Sequence, residues 1–103
     1  MHLIVFRNRK RAGMDAAAYA ADAARMEQLA AAQPGFLAVK TFAAADGEVV
    51  TISEWESEGA ARAWGRHAEH AAVQARGISG YYEQYTLFSC DKPRITRFER
   101  STP

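Results

Sequence analysis

The sequence predicts an α+β protein whose elements follow in the order strand, helix, strand, strand, helix, strand. Three features favour this fold class: four short segments rich in β-branched and aromatic residues, two alanine-rich segments with helical spacing, and turn-forming residues between them. The length of 103 residues suits one domain, and 49% hydrophobic with 24% charged residues is the composition of a globular protein.

The first half of the chain predicts a strand, a long helix and a second strand. Residues 2–9 contain Leu-Ile-Val-Phe, which favours the pleated backbone. Asp15 is a suitable N-cap for a helix that continues to about Gln33, where Pro34 stops it. Residues 36–42 then alternate loosely and predict the second strand.

The second half predicts a hairpin, a second helix and a final strand. Asp46-Gly47 is a hairpin signal, because glycine adopts positive φ freely. Residues 48–55 form the third strand of this prediction, and Ser57 caps a single helix that ends near Gly77. Residues 81–89, rich in aromatic side chains, predict the last strand.

This order predicts a ferredoxin-like βαββαβ fold, with both helices on one face of a four-stranded antiparallel sheet. The other face carries every second strand residue. In the last strand, the two alternate sets are Tyr81, Glu83, Tyr85, Leu87 and Tyr82, Gln84, Thr86, Phe88. Either set is too apolar for water and too polar for an ordinary core, so we expect a homodimer in which two sheets face each other around a barrel-like chamber.

We expect residues 1–91 to form this domain and residues 92–103 to form a C-terminal tail, either as an extra edge strand or as an arm across a partner. The formal net charge is +1 with basic residues spread along the chain, which argues against nucleic acid and anionic membranes as partners. A lone cysteine, Cys90, and a short apolar N-terminal run indicate a cytoplasmic protein without a membrane span.

One segment resembles a known family. Residues 53–64, SEWESEGAARAW, are similar to a recurring segment of the antibiotic biosynthesis monooxygenase (ABM) family, in which a strand ends in Trp, Ser caps a helix, and a second Trp follows nine residues after the first. Residues 66–74, RHAEHAAVQ, and residues 33–36, QPGF, also resemble the family. The similarity covers nearly the whole chain, in order and spacing.

The resemblance implies a dimeric α+β barrel that encloses an aromatic-binding pocket. Some members of the family oxygenate polycyclic phenols without metal or flavin, and others bind and degrade haem. The leading hypothesis is therefore a cofactor-independent monooxygenase that uses O₂ on a small aromatic, phenolic or quinone-like substrate. The alternatives are a haem-binding or haem-degrading monooxygenase and a non-catalytic dimeric ligand-binding module.

Cofactor-free oxygenation requires a slot for the rings, groups that take a proton and hold an oxyanion, and exclusion of water. Trp64 is the first candidate, because an indole can stack on a substrate and donate one N–H, although it also suits helix packing. The resemblance to the haem-degrading branch places a functional Asn on the first strand, where Asn8 or Arg7 is the aligned residue. Only one of these neighbours can face the chamber.

His67 and His70, three residues apart beside Trp64, are candidate bases, or else part of a polar helix face. No third ligand accompanies them, so no metal is expected. By the resemblance, an axial haem ligand belongs nine or ten residues after the helix Trp, at Val73 or Gln74, and neither is a usual axial ligand.

The remaining candidates are hydroxyl groups of the last strand. Tyr81, Tyr82 and Tyr85 either contact the substrate or pack the barrel. Trp55, at the end of the third strand, is interpreted as a core or interface residue. Cys90 has no sequence neighbour that would activate a thiolate.

Overall fold

The computed structural model describes residues 1–101, which contain four strands, three α-helices and a single π-helical turn. The elements are β1 His2–Lys10, α1 Ala16–Ala31, β2 Phe36–Ala43, β3 Val49–Trp55, α2 Glu58–Arg66, α3 Ala68–Arg76, the π-helical turn Gly77–Tyr81, and β4 Tyr82–Asp91. Among the helices of this described part, none is long and apolar enough to cross a membrane.

The four strands form one antiparallel sheet in the order β2-β3-β1-β4. β1 and β3 pair at the centre of the sheet, and β2 and β4 are its edge strands. This is the predicted ferredoxin-like arrangement, which the structure confirms. Alternation then divides the strand residues into a helix-facing side and an opposite, bare side.

Three local predictions are confirmed by hydrogen bonds. The side chain of Asp15 accepts from the backbone N–H of Ala18 at 3.0 Å, and α1 starts at the next residue after this cap. Ser57 Oγ accepts from the N–H of Ala60 at 3.1 Å, so α2 begins where the sequence indicated. In the β2–β3 turn, Gly47 has φ of +93°, a conformation that few other residues adopt.

The second predicted helix is not continuous, so that prediction is wrong. It breaks at His67, whose ψ of 131° ends α2, and the chain re-enters helical geometry as α3. The break is stabilised locally, because His67 Nδ1 accepts from the N–H of Glu69 at 3.3 Å and so caps α3. As a result Trp64 and His70 belong to two different helices.

A second departure from the prediction concerns the last strand. Tyr81 lies in the π-helical turn, so β4 begins one residue later than expected. The register of β1 with β4 shifts between Arg9 and Lys10, where Tyr82 pairs with Lys10. Strict alternation would place Tyr82 and Tyr85 on opposite faces, but the irregularity allows both to face the helices.

The edge strand β4 is tied to β1 by a buried histidine. His2 is only 3% exposed, and its Nδ1 lies 3.2 Å from Asp91 Oδ1 while its Nε2 lies 2.7 Å from Ser89 Oγ. The N–H of Lys92 donates to the carbonyl of Met1 at 2.9 Å. Beyond this point, residues 93–101 are in neither helix nor strand. Their role as an arm across a partner stays a prediction.

Candidate functional site

A cleft of about 510 Å³ lies between the sheet and the helices of the same chain. Its walls come from one side of all four strands and from α1, α2 and α3, with these residues among its lining: Ile4, Phe6, Tyr19, Met26, Val39, Thr51, Trp64, His70, Val73, Tyr82 and Tyr85. The expected chamber was on the bare side of the sheet. The cleft is instead on the side that the helices cover.

The small side chains of the helices explain this difference. Alanine fills little volume, and Ala23 and Ala30 of α1 together with Ala61 of α2 line the cleft. Helices with leucine at such positions would normally fill the space above a sheet. The helix layer of this protein instead leaves room for a molecule of drug-like size.

One end of the cleft is built from stacked aromatic rings. Trp55 is 1% exposed and its Nε1 donates to Ser53 Oγ at 3.1 Å, which fixes it as the core residue that the sequence indicated. The ring of Trp64 stacks on Trp55 with centroids 6.3 Å apart. The imidazole of His70 stacks on Trp64 at 4.3 Å with an interplanar angle of 10°. We call Trp55, Trp64 and His70 the indole end.

The hydrogen bond of His70 determines which of its nitrogens carries the proton. Nδ1 lies 2.9 Å from the carbonyl oxygen of Trp64. A carbonyl can only accept, so Nδ1 donates and Nε2 of the neutral ring has a free lone pair. Burial lowers the pKa of His70 below its ordinary value, because an apolar environment disfavours the charged form. The residue is therefore a neutral base at neutral pH.

The opposite end of the cleft is rich in tyrosine. The ring of Phe6 contacts Tyr82 and Tyr85, each at a centroid distance of 5.3 Å, and Tyr19 meets Tyr81 edge-on at 5.4 Å. Burial raises the pKa of Tyr82 and of Tyr19, so both phenols stay protonated. We call these residues, with Asn8 and Lys10 beside them, the tyrosine end.

Tyr81 has a structural contact at this end. It is 7% exposed, and its hydroxyl donates to Asp22 Oδ2 at 2.7 Å. The same carboxylate accepts two hydrogen bonds from Arg76, each of 2.9 Å. These contacts join the π-helical turn and α3 to α1, and the Arg76 and Tyr81 hydrogen bonds lower the pKa of Asp22.

The two first-strand candidates lie on opposite faces of the sheet. Asn8 is 2% exposed on the helix-facing side, where its Oδ1 accepts a hydrogen bond from Lys10 Nζ. Arg7 faces the bare side and forms an ion pair with Glu48 at 3.1 Å. Of this pair, only Asn8 is near the cleft.

The other polar candidates are separated in the same way. His67 is at the α2–α3 junction, with its ring tilted against Trp64 at 5.5 Å, and it does not line the cleft. Val73 and Gln74 both line it. In residues 1–101 there is no group of three His, Cys, Asp or Glu side chains that could hold a metal ion.

Sequence reasoning missed several residues of the site. The first strand was predicted to end at residue 9, before Lys10, and Tyr19 was not a candidate, yet Lys10 Nζ lies 4.6 Å from the centroid of the Tyr19 ring. Because Lys10 follows Asn8 by two residues, an extension of the first strand would have placed both side chains on one face. Thr41 and Thr51, hydrogen-bonded to each other at 2.9 Å across β2 and β3, add hydroxyls to the lining.

Comparison with known proteins places these features in a family. Residues 1–76 match the family model described as antibiotic biosynthesis monooxygenase. The uncharacterized protein YqjZ of Bacillus subtilis is 40% identical over 84 residues, which is 82% of this chain and 74% of that protein. Both the Trp64–His70 pair and most of the sheet fall within the matched residues.

Solved structures share the fold. A putative antibiotic biosynthesis monooxygenase from Deinococcus radiodurans superimposes with a TM-score of 0.81 at 11% identity, over 97% of this chain and 100% of that one. SnoaB from Streptomyces nogalater, described as a cofactor-independent oxygenase, gives a TM-score of 0.73 at 21% identity, over 95% and 97% of the two chains. With the match over most of its length, the chain belongs to the antibiotic biosynthesis monooxygenase family.

Proposed function

We propose that this protein is a cofactor-independent monooxygenase that oxygenates a small aromatic, phenolic or quinone-like compound with O₂. The observation that carries the proposal is the cleft of about 510 Å³ with a stacked tryptophan and a neutral histidine at one end. Its volume is within the range of about 300–1,000 Å³ typical of small-molecule sites. A non-catalytic module is expected to have a site that is too small or too blocked to hold a ring system. The volume of this cleft argues against that alternative.

Substrate positioning is assigned to the aromatic lining. Flat ring systems fit between the sheet side chains and α1, where Phe6 and Met26 provide apolar contacts. Trp64 presents its indole edge at the indole end, and Tyr82 and Tyr85 present their hydroxyls at the tyrosine end. A bound phenol therefore has hydrogen-bonding groups at both ends of the cleft. The helices shield one side of the rings from water, while Tyr85 and Leu87 on β4 remain about half exposed, at 47% and 53%.

Proton transfer is assigned to His70. The hydrogen bond from Nδ1 to the Trp64 carbonyl holds the ring with Nε2 unprotonated. Nε2 takes the proton of a phenol or of an acidic CH₂ group, and the Trp64 carbonyl stabilises the imidazolium that results. The deprotonated substrate is electron-rich enough to transfer an electron to O₂.

The overall reaction balances without an external reductant. For anthrone, the CH₂ group loses two hydrogens and gains one oxygen atom as a carbonyl, while the second oxygen atom leaves as water with those hydrogens. The substrate therefore supplies the electrons, and the protein supplies orientation and a base. The description of SnoaB as a cofactor-independent oxygenase supports chemistry of this class.

The haem alternative fits the residues less well. The helix positions that the resemblance assigns to an axial ligand are Val73 and Gln74, and both side chains line the cleft. His70 lies closer to Trp64, with its ring packed flat on the indole at 4.3 Å. We therefore assign no step to haem.

We also propose that a second copy of the chain covers the bare side of the sheet. Ile52 of β3, Val5 of β1 and Phe88 of β4 are register partners in one row across this side. Phe88 is 44% exposed, and Phe42 of the adjoining edge strand is 47% exposed. The row ends in Lys40, the partner of Ile52 on β2, and an exposed surface that is otherwise apolar is typical of a subunit interface.

Oxygen consumption tests the proposed activity. Purified protein is incubated with anthrone and with a panel of naphthoquinols, and O₂ uptake is compared with buffer. We expect acceleration by the wild type and a decrease of about 10²-fold or more in His70→Gln, as is typical for loss of a general base. His67→Asn is the matched control, because asparagine can still cap α3. No acceleration over buffer for any compound would contradict the proposal.

A further inference from the structure

We propose that the tyrosine end of the cleft is an anion subsite, in which Lys10 supplies the positive charge and the preferred ligand is an aromatic carboxylate. The inference rests on the proposed function in taking the cleft as the substrate site. It adds that the substrate is an aromatic carboxylate, and it gives the orientation of that substrate along the cleft.

The position of Lys10 is the first argument. It is the last residue of β1 and half-buried on the helix-facing side. Its Nζ lies 4.6 Å from the ring centroid of Tyr19 and 5.3 Å from that of Tyr82, and both rings line the cleft. Nζ also donates to the Oδ1 of buried Asn8. Lys10 is not itself a lining residue, but these contacts place its ammonium directly against two rings that line the cleft.

The second argument is the missing counter-charge. Among residues 1–101, no carboxylate oxygen lies within 4 Å of Lys10 Nζ. The neighbouring cations of β1 differ, because Arg7 pairs with Glu48 at 3.1 Å and Arg9 pairs with Asp46 at 2.9 Å on the bare side. The half-buried ammonium contacts an amide oxygen and two aromatic faces, and no anion compensates its charge.

The acidic group at this end does not provide that interaction. Asp22 lines the cleft, but it accepts two hydrogen bonds from Arg76 and a third from Tyr81. Its charge is thus balanced by an arginine of its own. A ligand carboxylate at the tyrosine end would meet the ammonium of Lys10 as the uncompensated charge, in surroundings where burial strengthens the attraction.

The tyrosines favour an anion as well. Burial raises the pKa values of Tyr19 and Tyr82, so their hydroxyls remain protonated and can donate. A carboxylate oxygen accepts hydrogen bonds of this kind strongly. A neutral ring edge would leave the charge of the ammonium uncompensated, because its acceptor, Asn8 Oδ1, is a neutral amide oxygen.

The register of the sheet then gives the ligand a direction. Tyr82 pairs with Lys10 at the end of β1, and Trp55 pairs with His2 at its start. A carboxylate at the tyrosine end therefore directs the other end of the ring system toward Trp64 and His70. The phenol or CH₂ group that reacts is expected on the ring far from the carboxylate.

Calorimetric titration with two matched ligands tests the inference. The first is 6-hydroxy-2-naphthoate, which carries hydroxyl and carboxylate on opposite rings, and the second is 2-naphthol, which lacks the carboxylate. We expect the wild type to bind the hydroxynaphthoate about tenfold or more tightly than the naphthol, as for one charge-assisted hydrogen bond. Lys10→Met should lose this preference and bind the naphthol as before.

Controls separate a local from a general effect. Lys40→Met removes a lysine from the bare side of β2, where Nζ lies over Phe42, and should keep the preference. The ligand-free Lys10→Met protein should keep the circular dichroism spectrum of the wild type, although Asn8 Oδ1 loses its donor. Equal affinities for both ligands in the wild type, or a preference that survives in Lys10→Met, would overturn the anion subsite.

Oxygen uptake distinguishes this inference from the proposed function. A carboxylate preference without O₂ consumption keeps the subsite and contradicts the monooxygenase. Consumption of O₂ with anthrone, combined with no preference for the carboxylate, supports the monooxygenase and contradicts the anion subsite.

Discussion

His70 is bound twice to Trp64: its ring stacks on the indole at 4.3 Å, and its Nδ1 donates to the Trp64 carbonyl at 2.9 Å. The two residues are six positions apart, too far for a bond within one regular helix turn. The contact exists because the chain breaks at His67 and starts α3 there. The same break thus orients the imidazole and sets its tautomer.

The buried imidazole predicts a dependence of stability on pH. Since burial lowers the pKa of His70 from its ordinary 6.5, the unfolded chain binds a proton in a pH range where the folded chain does not. Stability is then complete above pH 6.5 and decreases as the pH falls toward the folded-state pKa. We expect the unfolding temperature to drop between pH 7 and pH 5. Melting curves of His70→Gln should show a smaller drop, and an equal drop would contradict the assignment.

The size of the cleft predicts the effect of one side chain on α1. Ala23 lines the cleft, and its replacement by leucine adds three carbon atoms to that wall. We expect Ala23→Leu to weaken naphthol binding about tenfold or more while the helix content stays the same, because the two residues have similar helix propensity. Ala24→Leu is the control, since residue 24 is exposed and does not line the cleft. Calorimetry and circular dichroism measure both properties, and equal binding by the two variants would count against the cleft.

The close approach of Gly77 to Tyr82 gives a prediction about packing. A Cβ atom at Gly77 would lie 2.6 Å from Tyr82 Cε2, whereas one at Gly80 would meet nothing within 4 Å. Gly77 has φ of −59°, so alanine is tolerated by its backbone. We expect Gly77→Ala to reduce the free energy of unfolding by about 1–3 kcal/mol through overpacking.

Gly80→Ala is the matched control for this position. It should leave the free energy of unfolding unchanged or raise it by up to about 1 kcal/mol, because alanine restricts the unfolded chain. Urea titrations measure both variants. If Gly77→Ala were as stable as Gly80→Ala, the ring of Tyr82 would have to be free to move away.

The bare side of the sheet predicts a dimer that one charge disrupts. Ile52 is at the centre of this side, with Val5 as its partner on β1 and Lys40 on β2. We expect light scattering to give the mass of a dimer for the wild type and of a monomer for Ile52→Lys, because an unpaired charge in an apolar interface is costly. Gln28→Lys, at an exposed position of α1, should remain dimeric. A monomeric wild type would contradict the interface.

Much of the fold was predictable because its signals are local. Asp15, Ser57 and Gly47 act through the side chain or the φ angle of the residue itself, and each has the role that the sequence indicated. The break at His67 was missed, because an imidazole is an unusual helix cap and nothing around it forbids a continuous helix. The sequence alone shows no proline there.

The site was predicted in part, for a similar reason. Trp64 and His70 were identified by type and spacing, and both line the cleft. The chamber between two sheets stays a prediction. The cleft on the helix-covered side was not predicted, because its volume depends on how little of that space the alanines of the helices fill. Lys10 was missed because the first strand was predicted to end at Arg9, whereas β1 includes Lys10. The facing of Tyr82 was missed because the register shift that sets it has no sequence signature.

The interruption at His67 has a consequence for how the site opens. It leaves α2 and α3 with nine residues each, a length at which an isolated helix is mostly unfolded in water. The two helices that cover the rings are therefore stabilised by their tertiary contacts and not by their intrinsic helix stability. They are the part of the molecule that a bound ligand can rigidify most strongly. Ligand binding should therefore slow amide hydrogen exchange in α2 and α3, while the exchange rates in the four strands stay unchanged.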